Sequence, residues 1–168
     1  MSLRVNTYQR DAAVDYASKW ALKRNPKYLD FENLGGDCTN FASQAIFAGS
    51  NIMNYTETLG WYYINSNQRS PSWTGVNFLY DFLIKNNGIG PFAKLIETSQ
   101  IELGDIIQLS FYDPYVFNHS LVVVKVGNPP KLDNICVCAH SDDQLCYPLT
   151  NYSFIGIRFI HIEGVRVL

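Results

Sequence analysis

The hydrophobic period of this chain changes half-way along, and that change limits the folds open to it. Residues 7 to 24 place Ala12, Ala13, Tyr16, Ala17, Trp20 and Ala21 on one stripe of a helix that Asn25-Pro26 ends. A second helix fits 38 to 48, with Asp37 as N-cap, Phe41, Ala42, Ala45 and Ile46 on its inner face and Gly49 as its stop. A third fits 75 to 86, with Thr74 as cap and Val76, Phe78, Leu79, Phe82 and Leu83 inside. After that the period shortens to two: 105 to 111, 119 to 126, 135 to 140 and 154 to 162 read as strands. Helices first and strands afterwards predict an α+β domain with an antiparallel sheet. The 168 residues contain no repeat, linker or low-complexity stretch, so the whole chain, 1–168, is expected to form one domain.

Charge and composition exclude some functions. With 13 Lys and Arg against 15 Asp and Glu, the net charge is −2; phosphate neutralisation needs a basic surface, and this balance gives no electrostatic reason to expect nucleic acid as a partner. No apolar run approaches the ~20 residues that span a bilayer. The N-terminus lacks the regions of a signal peptide, and Met1-Ser2-Leu3 reads as a cloning remnant. A cell-wall or secreted location is expected if a leader was removed, a cytoplasmic one otherwise. Oligomeric state has no signature in the sequence. The four cysteines, Cys38, Cys136, Cys138 and Cys146, are not spread as a disulfide scaffold spreads them, and free thiols are expected.

Cys38 stands where a thiol is easiest to activate. A helix that starts at it offers unpaired N–H groups and the positive end of its dipole to a thiolate. Gly35 and Gly36 permit close approach of a substrate, and the Cys38 N–H is available to an oxyanion formed beside the sulfur. The bland reading is a small buried hydrophobe. An adjacent imidazole makes a thiol a competent nucleophile, and the chain has three histidines. His119 opens a strand after the irregular segment Tyr112 to Asn118; His140 closes the next strand; His161 reads as structural. A hairpin turn centred on the Pro129–Pro130 bond sets His140 directly opposite His119, with Cβ atoms ~4.5–5.5 Å apart. His140 then orients His119, the base, as a nucleophile–base–orienter triad requires. Asp142, just beyond, is the alternative orienting group.

Metal chemistry competes with this. Cys136, Cys138 and His140 alternate along one strand and share a face, with Cys146 close behind, and thiolates with imidazole suit zinc. Structural zinc sites use a two-residue gap at a turn instead, so no metal or other cofactor is expected. Among the aromatics, 14% of the chain, Trp61, Tyr62, Tyr63 and Trp73 are candidates for the walls of a substrate groove.

The segment Gly35-Gly36-Asp37-Cys38-Thr39-Asn40-Phe41-Ala42-Ser43-Gln44 resembles the nucleophile segment of the bacterial putative amidase domain family. That family is similar to the NlpC-like cell-wall cysteine peptidases of the papain-like group. Tyr8 to Ala17 resembles its first helix, Trp61-Tyr62-Tyr63 and Ser72-Trp73-Thr74 its middle region, and Leu103-Gly104-Asp105-Ile106-Ile107 the strand ahead of the histidine. Asn118-His119-Ser120 resembles the histidine motif, and Ala139-His140-Ser141-Asp142 the segment that carries the third polar residue. Ala45, Ser50 and Asn118 depart from the pattern, standing where a cysteine, a glycine and a carboxylate are expected. The resemblance implies a helical half packed on a small antiparallel sheet. It also implies a Cys38 nucleophile, a His119 base and a His140 orienter, and hydrolysis of an amide bond in peptidoglycan stem peptides through a thioester. Two rivals share the residues: acyl transfer to another acceptor by the same pair, and a catalytically silent wall-binding module.

Overall fold

The computed structural model describes residues 2–168; Met1, the first residue of the expected remnant, lies outside them. In chain order the regular elements are β1 (Arg4–Asn6), α1 (Arg10–Trp20), α2 (Cys38–Ser50), β2 (Tyr63–Asn65), β3 (Gln68–Arg69), α3 (Pro71–Thr74) and α4 (Val76–Lys85). They continue as β4 (Gly90–Ile96), β5 (Ile106–Ser110), β6 (His119–Lys125), β7 (Cys136–Ala139), β8 (Gln144–Pro148) and β9 (Gly156–Val167). Three of the four helices and four of the nine strands were anticipated. The order is mixed, since β1 precedes every helix.

Seven strands form one sheet in the order β1-β9-β5-β6-β7-β8, with β4 also paired to β9, and every pairing is antiparallel. One face of the sheet meets the helices: Ile106, Val122, Cys138, Ile160 and Ile162 pack with Phe41, Ala42, Ala45, Ile46, Trp61, Trp73 and Leu79. The residues between them in sequence, Ile107, Leu109, Leu121, Val123, Val137 and Phe159, form a second apolar layer on the opposite face. The period-two pattern thus supplies two cores, one on each side of the pleat.

Helix α2 is buried on almost every side, which is unusual for a segment containing Thr39, Asn40, Ser43 and Gln44. Each of these polar side chains has a partner, as burial requires. Thr39 Oγ1 meets Ser120 Oγ at 2.9 Å, Asn40 accepts from Trp73 Nε1 at 3.0 Å, Ser43 accepts from Trp61 Nε1 at 3.1 Å, and Gln44 accepts from Tyr16 at 2.5 Å. The indole N–H groups therefore point at the helix. Trp61 and Trp73 are fully buried and lie 4.8 Å apart, centroid to centroid, and Tyr63 is buried beside them. These three rings form the core behind α2 and cannot line a groove. Tyr62, half-buried against Tyr55, is the one member of the set that reaches the surface.

Gly49 does not stop α2. The helix runs through it to Ser50 and ends at Asn51, whose φ of 56° places it in the left-handed region. Glycine is required at 49 because a Cβ there would lie 2.4 Å from the Tyr8 ring and 2.9 Å from the Gln9 carbonyl oxygen. Gly49→Ala is expected to destabilise the fold by about 1–3 kcal/mol through overpacking. A denaturant midpoint equal to that of the unmodified protein would show that α1 and α2 have room to separate. His161 lies in β9 and is tied to a buried carboxylate. Its Nδ1 lies 2.8 Å from the buried Asp105 carboxylate, which also accepts from Arg10 Nη1 at 2.8 Å and the Ile162 N–H at 3.0 Å. This cluster ties α1, β5 and β9 together.

Candidate active site

Gly35 and Gly36 both adopt φ values near +100° (103° and 102°), which side-chain-bearing residues rarely take. The reversal they allow brings Asp37 back over the preceding loop. Its carboxylate accepts from the Phe31 N–H and from Asn40 Nδ2, both at 2.8 Å. Asp37 stands at the N-cap position of α2 as expected, but its side chain makes no cap bond to the first turn. Asp37 instead anchors the loop that presents Cys38.

The same carboxylate binds His140. Nδ1 of that ring lies 2.5 Å from Asp37 Oδ2, Nε2 lies 2.7 Å from the Trp20 carbonyl oxygen, and the ring stacks on Phe41 at 4.0 Å. Both ring nitrogens are thus taken up by these two partners. No nitrogen is left to orient another imidazole. Strand register gives the reason. In the β6–β7 pair Val122 faces Cys138 and Val123 faces Val137, with a bulge beyond them towards Lys125. Carried back, that register sets His140 opposite Ser120, one residue from the position predicted. A one-residue slip moves a side chain to the other face of a sheet. His140 therefore joins Cys138 on the helix side, while His119 alternates with Leu121 and Val123.

Arg24 completes the support. Its Nη1 and Nη2 bind Asp143 at 2.7 and 3.2 Å, and Nη2 lies 3.3 Å from Glu32. Its Nε lies 3.1 Å from Asp30 and 3.5 Å from Asp37 without an aligned hydrogen bond to either. Ser141 Oγ accepts from the Asp37 N–H at 2.8 Å and donates to Glu32 at 3.1 Å. Ser141 and Asp142 both have positive φ, 59° and 65°, as the two central residues of a tight turn between β7 and β8 must. The turn is thus docked on the Gly35-to-Asp37 loop, with Asp142 at its exposed tip.

Cys38 is 8% exposed and is the first residue of α2. Burial raises its pKa above the ordinary thiol value, and the Asp37 charge adds to this. Hydrogen bonding from the Ser120 backbone and from the Thr39 side chain and backbone acts in the opposite direction. The resting group is a thiol, not the preformed thiolate that a helix start suggests. Ser120 follows His119 directly, and its hydroxyl lies 2.9 Å from Thr39 Oγ1, which lies 3.7 Å from the sulfur. Cys38 and His119 make no hydrogen bond to each other in this resting arrangement; such contacts commonly tighten only when substrate is bound.

His119 is 7% exposed. Burial lowers its pKa from 6.5 to about 4, and the nearby Asp142 charge pulls it back up in part. At neutral pH the ring is uncharged and can accept a proton. Between pH 6.5 and about 4 the unfolded chain takes up a proton that the folded ring refuses, so stability falls on acidification through that range. The contribution reaches roughly 3 kcal/mol at pH 4, at ~1.4 kcal/mol per unit. His119→Phe is expected to remove it, shrinking the loss of unfolding free energy between pH 7 and pH 4 in urea titrations; an unchanged loss would place the ring in water.

Tyr152, which the sequence does not single out, lies 5.7 Å from the His119 ring, and its buried hydroxyl has no partner among the described residues. Phe111 borders the imidazole from the loop before β6, and Tyr112 and Tyr115 of that loop are almost fully exposed.

The family model described as Putative amidase domain matches residues 7–162. The chain belongs to this family. That membership points to amide hydrolysis at a general level. Among curated relatives, the uncharacterized protein YhbB of Bacillus subtilis (strain 168) is 29% identical over 164 residues, covering 92% of this chain and 51% of the relative. The uncharacterized protein YjcM of the same organism is 29% identical over 152 residues, covering 86% of this chain and 33% of the relative. The chain therefore spans about half of the first and a third of the second. No solved structure matches it. Among the described residues, no helix is long and apolar enough to cross a membrane. The family match ends at 162, inside β9, so it takes in Cys38, His119 and Tyr152.

Proposed function

We propose that this family member is a cysteine-dependent amidase of papain-like, NlpC-like type. The observation that carries the reading is the link from the start of the buried helix α2 to β6: Thr39 Oγ1 lies 3.7 Å from the Cys38 sulfur and 2.9 Å from the hydroxyl of Ser120, the residue after His119. An uncharged imidazole and an uncharged thiol suit general-base attack, once substrate binding brings the His119 ring round the start of β6 to the sulfur. His119 takes the Cys38 proton as the sulfur bonds to the amide carbonyl carbon, and the carbonyl oxygen becomes an oxyanion. The Cys38 N–H, free of the helical hydrogen-bond ladder, is its donor, and the unpartnered Tyr152 hydroxyl is a second candidate. His119 returns the proton to the departing amine, leaving a thioester. Water, deprotonated by His119, then releases the acid and regenerates the thiol.

Asp142 is the better candidate for steadying the imidazolium, since its charge acts on His119 whereas His140 is committed to Asp37 and Trp20. Tyr112 and Tyr115 take over from Trp61, Tyr63 and Trp73 as candidate substrate contacts, because they are exposed in the loop that delivers His119. Peptidoglycan stem peptides are the proposed substrates. Digestion of purified peptidoglycan fragments, followed by mass analysis, is expected to yield a free acid and a free amine. A ligated product would assign the same pair to acyl transfer, and unchanged fragments would remove the substrate assignment.

A further inference from the structure

The sulfur of Cys38 ends a chain of buried polar groups that begins on the far side of β6. Arg158 lies between the rings of Tyr80 and Phe117, 3.6 and 3.9 Å from their centroids. Its Nε and Nη2 donate to Gln108 Oε1 at 2.8 and 2.6 Å, and Nη2 also reaches Asn77 Oδ1 at 3.1 Å. A guanidinium only donates, so the carbonyl end of the Gln108 amide must face it. The NH2 end then has two protons to place. They go to the Val76 carbonyl oxygen at 2.9 Å and to Ser120 Oγ at 3.1 Å. Ser120 Oγ lies 2.9 Å from Thr39 Oγ1, and Thr39 Oγ1 lies 3.7 Å from Cys38 Sγ. Gln108, Ser120 and Thr39 are each fully buried, so no group in the middle of the chain can turn to water.

We infer that Arg158, Gln108, Ser120 and Thr39 form a directed hydrogen-bond relay that aims the Thr39 hydroxyl proton at the sulfur of Cys38. Each direction follows from the one before. Because Ser120 Oγ accepts from Gln108, its own proton needs an acceptor, and Thr39 Oγ1 is the only other partner it has among the described residues. Thr39 therefore accepts from Ser120, and its remaining proton points along the one contact left, towards Cys38 Sγ. In the opposite setting Thr39 would donate to Ser120, the Ser120 proton would be stranded in a dry interior, and that is costly. The relay thus holds a donor ready for negative charge on the sulfur, against the burial and the Asp37 charge that oppose it. Thr39 touches the reacting atom; Ser120, Gln108 and Arg158 are positioning residues that act through it.

This inference rests on Cys38 being the nucleophile, and the test separates the two. The rate of Cys38 carbamidomethylation by iodoacetamide is measured across pH in the full chain, with the Cys38-containing peptide quantified by mass so that the other cysteines do not interfere. Thr39→Val keeps the side-chain shape and removes the donor. It is expected to raise the apparent Cys38 pKa by about one unit, a roughly tenfold loss of thiolate at pH 7. Thr39→Ser is expected to restore it. Gln108→Met breaks the relay one step back and is expected to give a smaller shift in the same direction. The Thr39→Val/Gln108→Met double variant should match Thr39→Val alone, because the relay has one exit. Ser120→Ala serves in place of Gln108→Met should that variant lose its far-ultraviolet circular dichroism. An unchanged Cys38 titration in folded Thr39→Val, or shifts that add in the double variant, would overturn the relay. If Cys38→Ala abolished hydrolysis in the same series, the nucleophile would stand without it.

Discussion

Cys38→Ala is expected to fold, to melt within a few degrees of the unmodified chain, and to lose at least ~10⁴-fold in kcat for amide hydrolysis. The side chain removed is a single sulfur at the first position of a helix, and alanine is the best helix former, so little packing is lost. The thioester route is lost, because the other cysteines occupy different places in the fold. Cys138 is sealed in the helix-side core, and Cys136 and Cys146 lie on β7 and β8. Product analysis by mass, with circular dichroism as the check on folding, reads both halves of the expectation. Retained hydrolysis in a folded variant would place the activity elsewhere in the chain.

Asp37→Ala is expected to have the largest effect on stability, about 3–5 kcal/mol. Its carboxylate, with no exposed surface, is shared by the Phe31 N–H, Asn40 Nδ2 and His140 Nδ1, and Arg24 Nε stands 3.5 Å away. Removing it leaves a buried imidazole and a guanidinium edge without their counter-charge and frees the loop that carries the nucleophile. Urea titration measures the loss. Asp37→Asn separates charge from shape: it keeps an acceptor for Phe31 while removing the negative charge that pushes the Cys38 thiol up. That variant should be less stable than the unmodified chain yet have a more acidic Cys38, opposite signs from one substitution. A Cys38 titration that did not move would show that the Asp37 charge is screened from the sulfur.

The parts of this molecule legible in its sequence are those set by local rules. The stripe along α1, the start of α2 at Cys38 and the alternation in β5, β6 and β9 follow from side-chain period alone. What escaped depends on partners distant in sequence. Nothing local in Arg24 distinguishes it from the other basic residues, yet its Nη atoms bridge Glu32 to Asp143. Trp61 and Trp73 read equally well as groove walls or as core until Ser43 and Asn40 are seen accepting their N–H groups. Gly49 has the composition of a helix stop, and only the approach of Tyr8 shows that it is a contact point. Register was the largest error. The connection between β6 and β7 does not turn at Pro129–Pro130 but runs on through a short 3₁₀ turn at Leu132–Asn134, so Lys125 faces Cys136 and, past the shift that follows, Val122 faces Cys138, one residue from the expected register. That single step carries His140 from the imidazole it was expected to orient to the carboxylate beneath the nucleophile. β4 and β8 escaped because Gly90-Pro91 and the bulged Cys146, with φ of 46°, interrupt any clean alternation.

The account depends on a covalent intermediate at one sulfur. Acid-quenching the protein during turnover of a peptidoglycan fragment, then digesting it and weighing the peptides, tests this directly. The expected result is an acyl mass on the peptide bearing Cys38, released by hydroxylamine as a thioester is, and missing when His119 is replaced by alanine. Substrate consumed with no acyl mass on that peptide, or with the mass on another residue, would contradict it.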